Sequence, residues 1–325
     1  RVLMTGGSGF IGTNLINYLL ENYPEYKLKN LDMSFPRDES QKMFWDECDL
    51  KNKSFLFQNF GEFKPDYVIH LAAKASLNGN TIDDFPDNII GTQNIVNCIN
   101  QCQSVKKFLH TSTQYVFMPG ELPTSETDFS PYTPYGASKA ESEKIVRNAN
   151  LKCNWVILRP TNIWGPWHSF FPHELWPLLS KRFYMHPGFK PIKKHYGYVG
   201  NSIRQIDKIL HLNEEILLKK VYYITDPPID NAEWMNSFSK ALSGKEIRKI
   251  PRGIWKILAL NGDLLRKVGV DFPVDSERYF RLTVDEKIPF QQTIDVTGFP
   301  SISLDQGVSI CLEWLNEYHP SLIRI

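Results

Sequence analysis

The chain has 325 residues, 42% hydrophobic and 22% charged, the balance of a soluble globular protein and enough length for one large α/β unit with a smaller lobe attached. Its 37 Lys and Arg face 36 Asp and Glu, so bulk charge favours neither nucleic acid nor an anionic membrane, and any anionic ligand needs a local site. The five cysteines, Cys48, Cys98, Cys102, Cys153 and Cys311, are odd in number and lack C-x-x-C spacing. With no His or Cys cluster to complete a metal site they read as reduced packing residues, which suits the cytoplasm. No apolar run approaches the ~18 residues of a membrane span, and no signal peptide precedes the first strand.

The apolar run Val2-Leu3-Met4 feeds Thr5-Gly6-Gly7-Ser8-Gly9-Phe10-Ile11-Gly12 and then a periodic segment over 13–20, the layout of a dinucleotide-binding βα unit. Without a Cβ, Gly6 permits the tight turn, Gly9 lets backbone amides approach a pyrophosphate, and Gly12 lets helix and strand pack closely. The helix N-terminus then offers free N–H groups to the anion. The next strand, 27–31, ends at Asp32, 20 residues beyond Gly12, where a carboxylate accepts hydrogen bonds from the adenosine ribose. The glycines stand three apart rather than as G-x-G-x-x-G. That Thr-Gly-x-x-Gly-x-x-Gly form resembles the extended short-chain dehydrogenase/reductase superfamily, which includes the NAD-dependent sugar epimerases and dehydratases. The resemblance implies NAD as cofactor, contacted by Gly6, Gly9, Phe10, Ile11, Gly12 and Asp32.

Residues 33–45 are polar, with Pro36 breaking any helix, and read as a loop beside the adenosine pocket. Arg37 in this loop could bind a 2′-phosphate, but Asp32 would repel it, so NAD is favoured over NADP. Cys48-Asp49-Leu50 resembles the superfamily's adenine contact, placing Asp49 and Leu50 at the cofactor; a surface turn is the competing reading. Tyr67-Val68-Ile69-His70-Leu71-Ala72-Ala73 is a buried parallel-type strand ending in small residues. Its His-Leu-Ala-Ala is close to the family's form, implying that Leu71, Ala72 and Ala73 border the cofactor. Lys74 follows, either near the diphosphate or nicotinamide or merely solvated. Asn88 begins a helix with apolar Ile89, Ile95, Val96 and Ile99, and matches a family asparagine whose role is architectural or proton-relaying.

Strand Lys107-Phe108-Leu109-His110 delivers Thr111-Ser112-Thr113 to the carboxyl edge, where doubly wound sheets bind ligands. After Pro131 and Pro134 a helix is expected over 135–148, with Tyr135 and Lys139 four residues apart on one face. A nearby ammonium favours phenolate, moving the tyrosine from about 10 toward working pH, which makes Tyr135 a candidate acid/base. An exposed helical pair is the bland alternative. Upstream, Ser112-Thr113-Gln114-Tyr115-Val116-Phe117 resembles the family's Ser-Ser/Thr-x-x-Val-Tyr strand end. The resemblance implies a catalytic group of Thr113, Tyr135 and Lys139, the last two also holding the cofactor.

Trp155-Val156-Ile157-Leu158-Arg159-Pro160-Thr161-Asn162-Ile163-Trp164-Gly165-Pro166 resembles the Arg-Pro-x-Asn-x-Tyr-Gly-Pro segment of sugar-nucleotide epimerases. It implies Pro160 and Ile163 against the nicotinamide and Asn162 toward substrate. Related 4,6-dehydratases carry Asp-Glu after the catalytic threonine, whereas this chain has Gln114 and Tyr115, so dehydration is not expected. Segment 167–191 interleaves aromatics with His168, His173 and His186 and suits a wall over a sugar or base, its histidines more often packed than ligating. Lys194-His195-Tyr196-Gly197-Tyr198-Val199-Gly200-Asn201 stands where relatives have Arg-Asp-Phe-x-x-Val-x-Asp, so Lys194, or Arg204 one helix turn beyond Gly200, would serve the diphosphate. A Tyr-Val-Gly-Asn variant also occurs in bacterial polysaccharide epimerases acting on polyprenyl-diphosphate sugars. Segment 254–268 reads as an amphipathic helix of the small lobe, packed there or touching lipid. The segment 305–318 resembles the family's closing helix.

The expected fold is α/β, a doubly wound parallel sheet with a smaller C-terminal substrate lobe. Residues 1–165 and about 195–224 would form the NAD-binding domain, and about 166–194 with 225–325 the lobe. The resemblance implies an NAD-dependent 4-epimerase of a sugar on UDP, GDP or polyprenyl diphosphate, in bacterial surface polysaccharide synthesis, with Lys74, Thr113, Gln114, Asn162, Lys194 and Arg204 facing the substrate. Family habit adds a homodimer. A 4-keto-sugar reductase or other alcohol dehydrogenase, and a non-catalytic dinucleotide-binding regulator, are the alternatives.

Overall fold

The computed structural model describes residues 1–75, 79–213, 221–270, 272 and 274–320. The first half alternates strands and helices: Val2–Thr5 (β1), Phe10–Asn22 (α1), Leu28–Asp32 (β2), Trp45–Glu47 (β3), Lys53–Phe63 (α2), Tyr67–His70 (β4), Thr92–Gln101 (α3), Lys107–Thr111 (β5), Pro134–Asn148 (α4) and Asn154–Pro160 (β6). The chain then runs through Asn162–Trp164 (β7), Trp176–Ser180 (α5), Met185–Pro187 (β8), Lys193–Lys194 (β9), Tyr196–Tyr198 (β10) and Val199–His211 (α6) to Val221–Ile224 (β11). Seven strands form one sheet in the order β3-β2-β1-β4-β5-β6-β11, every pair parallel.

Alternation along the strands decides which helices cover each face. Val2 and Met4 join a core built with Leu15, Ile16 and Leu19 of α1 and Ile203 and Ile206 of α6. Leu3, between them, belongs to a second core with Leu56 and Phe60 of α2, Ile95 and Ile99 of α3 and Val146 of α4. The sheet is therefore doubly wound, as expected. From β1 the chain builds outward to β2 and β3, then returns to β4 on the other side. That reversal opens a crevice at the carboxyl ends of β1 and β4, where such sheets take their ligands.

The remaining elements are Ile229–Asp230 (β12), Asn231–Ser243 (α7), Arg248–Ile250 (β13), Arg252–Lys267 (α8), Ser276–Thr283 (α9), Gln291–Thr297 (α10) and Leu304–Tyr318 (α11). Short pairs β7–β10, β9–β12 and β8–β13 form three two-stranded ribbons separate from the large sheet. The core of this lobe is aromatic. Trp164, 2% exposed, meets Tyr198 at 4.9 Å and Phe238 at 5.2 Å, and Trp176 stacks on Phe238 at 5.3 Å. Within 167–191, Trp176 is buried in this core and Trp167, Phe171 and Tyr184 pack against it, whereas Phe170, Phe183 and Phe189 are exposed.

Two local departures have physical causes. Residues 33–45 are not all loop, because Asp38 caps a 3₁₀ turn at Glu39–Phe44 and Trp45–Glu47 adds a short edge strand to β2. The helix expected from Asn88 begins instead as a π turn over Asp87–Gly91, a wider winding common at functional positions.

Candidate active site at the carboxyl edge of the sheet

Gly6 turns the chain after β1 at φ +73°, where a Cβ would lie 2.4 Å from the Ala72 nitrogen. At Gly12 a Cβ would meet the Gly6 oxygen at 2.5 Å, so only glycine lets α1 sit this close to the turn. Gly9 caps α1 without any side-chain hydrogen bond, leaving first-turn N–H groups for an anion. Beside them opens a cavity of about 390 Å³, lined among others by Gly9, Asp32, Arg37, Asp49, Leu50 and Lys74. Leu71, Ala72 and Ala73 complete its floor. Asp32 accepts from the backbone N–H groups of Ser8 and Ser34 at 3.0 and 2.9 Å, and burial raises its pKa against those bonds. Arg37 lines the same space but donates to the Trp167 carbonyl.

Other residues expected at the cofactor lie around this cavity. The Phe10 ring meets His168 edge-on at 4.6 Å, and Ile11 packs on the core. His168 accepts from Phe170 N at 3.0 Å and is pushed down to about 4 by burial, so it stays neutral and structural. Asn88 accepts from Lys74 N at 2.7 Å and donates to Ser138 Oγ at 2.9 Å. It thereby ties the chain beyond β4 to α4. Lys74 sends its ammonium to the Asp84 carbonyl at 2.9 Å and over the Phe85 ring. Pro160 ends β6, and Ile163 packs where a Cβ on Gly197 would stand.

On the adjoining edge, β5 delivers Thr113, and α4 carries Tyr135 and Lys139. The helix starts where expected because Pro134 opens it and the Thr133 hydroxyl caps Gly136 N at 3.0 Å. Thr113 Oγ1 accepts from Tyr115 N at 3.3 Å, which leaves its proton for the Tyr135 phenol, and that hydrogen bond favours phenolate. The expected acidification of the tyrosine by Lys139 is absent. Burial instead pushes Tyr135 up to about 12, countered only by Thr113, and Lys139, 1% exposed, is pushed down to about 8 with Glu143 drawing it back.

Among the described residues Lys139 Nζ has no hydrogen-bond partner, although a buried cation without one is costly. Beneath it, burial holds His70 down at about 3 and His110 well below its ordinary value, the nearby Lys139 charge adding to both shifts. An unpartnered buried ammonium, a glycine cradle and an uncapped helix start over an Asp32-lined cavity are what a dinucleotide would complete. The residues present fit NAD.

The expected substrate groups converge on a residue no motif marked. Glu286, between α9 and α10, accepts from Asn162 Nδ2 at 3.1 and 3.2 Å, from Lys194 Nζ at 3.2 Å and from His195 N at 3.0 Å. Gln114 donates to Asn162 Oδ1 at 3.2 Å. Lys194, 5% exposed at its side chain, is therefore committed to an internal carboxylate. Arg204 lies exposed over the Tyr18 ring on the α1 side of α6 and is not among the partners of Glu286. Tyr115 is raised by burial and by Glu286, and Arg281 of α9 reaches it. Only the 92-residue separation of Lys194 and Glu286 kept the pair out of sequence reach.

Known proteins carry the same architecture. A family profile described as the NAD-dependent epimerase/dehydratase family matches residues 2–212. A dTDP-glucose 4,6-dehydratase of Neisseria meningitidis is 26% identical, over 55% of this chain and 57% of that enzyme; the chain spans about half the length of the curated relatives it matches. The structure of a UDP-glucuronic acid 4-epimerase from Bacillus cereus superposes with a TM-score of 0.73 at 20% identity, covering 98% of this chain and 99% of that one. A UDP-glucose 4-epimerase from Thermotoga maritima gives 0.71 at 22%, covering 97% and 98%. With about two thirds of its length inside that profile, the chain belongs to the NAD-dependent epimerase/dehydratase family.

Proposed function

We propose that the chain is a sugar 4-epimerase, inverting a hexose carried on a diphosphate. The observation that carries this reading is an intact Thr113–Tyr135–Lys139 group followed directly by Gln114 and Tyr115, neither of them a carboxylate. Gln114 does not titrate and spends its amide on Asn162, and Tyr115 is buried with its pKa raised. Removing water from a sugar needs such a second proton-transfer pair, so the dehydratase activity named for several relatives does not transfer here. Bound NAD supplies the reversible hydride acceptor.

The chain's own residues handle the proton and the pose. Tyr135 takes the proton of the sugar 4-hydroxyl and gives it back after the transient 4-keto sugar has turned over. Thr113 holds that oxygen and, by its hydrogen bond, favours the phenolate of Tyr135, while the buried Lys139 binds the cofactor ribose. On the cofactor side, Gly6, Gly9, Phe10, Ile11, Gly12, Asp32, Asp49 and Leu50 hold the adenosine and diphosphate, with residues 71–74, Asn88, Pro160 and Ile163 nearer the nicotinamide. Gln114 and Asn162 meet the sugar or its phosphates, and Lys194 does so by exchanging Glu286. The carrier is UDP, GDP or polyprenyl diphosphate, and the setting is bacterial surface polysaccharide synthesis.

Incubation with a panel of UDP-, GDP- and polyprenyl-diphosphate sugars, read by NMR without added NADH, tests this. Inversion at C4 with no net change in cofactor is expected. A 4-keto-6-deoxy product, or turnover only with NADH, would replace the reading by dehydration or by keto-sugar reduction.

A further inference from the structure

We propose that the solvent-facing side of α8 docks on the surface of an anionic phospholipid bilayer. This helix is built inside out. Toward the protein it sets Trp255, Ala259 and Gly262. Trp255 Nε1 donates to the Met185 carbonyl at 3.1 Å, and Gly262 lies so near the Val274 carbonyl that a Cβ would fall 1.7 Å from its oxygen. The bulky aliphatics point the other way. Ile254 is 49% exposed, Ile257 62%, Leu260 56%, Leu264 63%, and Val268, just past the helix, 71%.

At about 100° per residue these five share one side, opposite the buried face. Single exposed leucines are common on protein surfaces; a continuous row along four turns marks a contact. Charge identifies the partner. Residues 248–267 hold six basic side chains, Arg248, Lys249, Arg252, Lys256, Arg266 and Lys267, against the single acid Asp263. By sequence this is a local excess of +5 in a chain whose net charge is +1, one unit of it offset where Arg266 pairs with Asp275, and Asp263 is itself turned toward Ser276. Lys256 and Lys267, both exposed, border the aliphatic row on one flank. Their stems can lie along it while the ammonium groups stand at the depth of phosphate headgroups.

An aliphatic row with a cationic border is what an interfacial helix presents, its apolar side sunk among acyl chains and its bases against anionic lipid. A water-soluble acidic partner would account for the lysines but not for the isoleucines and leucines. The helix has 16 residues, and among the described residues no helix is long and apolar enough to cross a membrane. The contact is therefore along the surface. Docking does not depend on which sugar or carrier the enzyme uses, so it stands or falls separately from the proposed reaction.

Cosedimentation of the whole chain with phosphatidylglycerol/phosphatidylethanolamine vesicles, against phosphatidylcholine vesicles, tests the proposal. Wild type is expected to pellet with the anionic vesicles and far less with the neutral ones. The variant Ile257→Asp/Leu260→Asp/Leu264→Asp should lose at least ~10-fold in partitioning, since each buried apolar side chain adds to interfacial binding. Lys256→Glu/Lys267→Glu should lose roughly 10-fold, and only on anionic lipid. NAD binding and Tm should be unchanged in both. Wild type remaining in the supernatant, the aspartate variant pelleting as wild type does, or that variant instead converting a dimer to monomer would overturn it.

Discussion

The two sides of the crevice are held in opposite ways. On the cofactor side, groups are buried and left waiting: Lys139 Nζ has no partner among the described residues, and α1 begins without a side-chain cap. On the substrate side the candidate groups are already bonded to one another, Gln114 to Asn162 and Asn162 and Lys194 to Glu286. The first arrangement gains bonds when a ligand arrives, whereas the second must exchange bonds. A cofactor is thus expected to bind tightly and stay, and a substrate to bind in competition with Glu286.

The largest expected effect would come from breaking the proton carrier. Tyr135→Phe should lower turnover by about 10²- to 10⁴-fold while NAD still copurifies, and NMR assay of product with absorbance of bound cofactor separates the two. Next, Glu286→Ala should cost about 3–5 kcal/mol in urea unfolding, because it leaves the Lys194 ammonium buried without its carboxylate. Glu286→Gln keeps an acceptor oxygen and should cost less, with KM altered more than kcat.

The waiting lysine gives the comparison its pH signature. Lys139 sits at about 8 in the folded chain against an ordinary 10.5, so between those values the unfolded chain binds more protons and stability rises with pH. Below about 8 the full penalty is present. Lys139→Met should then stabilise the NAD-free protein near pH 7, by up to about 3 kcal/mol, and flatten the rise, while abolishing turnover. Smallest of the four, Asn88→Ala should cost about 1–2 kcal/mol by freeing Lys74 N and Ser138 Oγ, measured by thermal unfolding.

The same contrast explains what the sequence could disclose. Gly6, Gly9 and Gly12, Asp32 and the Tyr135–Lys139 pair act through spacings of a few residues or one strand and helix, and backbone geometry turns such spacings directly into positions. Glu286 carries no local mark, since its partners come from β7, β9 and the turn after β9, brought to it only by the folded lobe. For Arg204, one helix turn from Gly200 fixes a face but not what lies across from it, and α1 supplies Tyr18 there. The pKa of Tyr135 also escaped, because a neighbour in sequence announces charge but not burial. Burial dominates at this tyrosine.

A crystal structure of the chain grown with NAD would test the central claim most directly. The account predicts the nicotinamide ribose hydroxyls within hydrogen-bond distance of Lys139 Nζ and the ring beside the Tyr135 phenol. A dinucleotide bound with Lys139 still unpartnered and Tyr135 turned away from it would contradict the account.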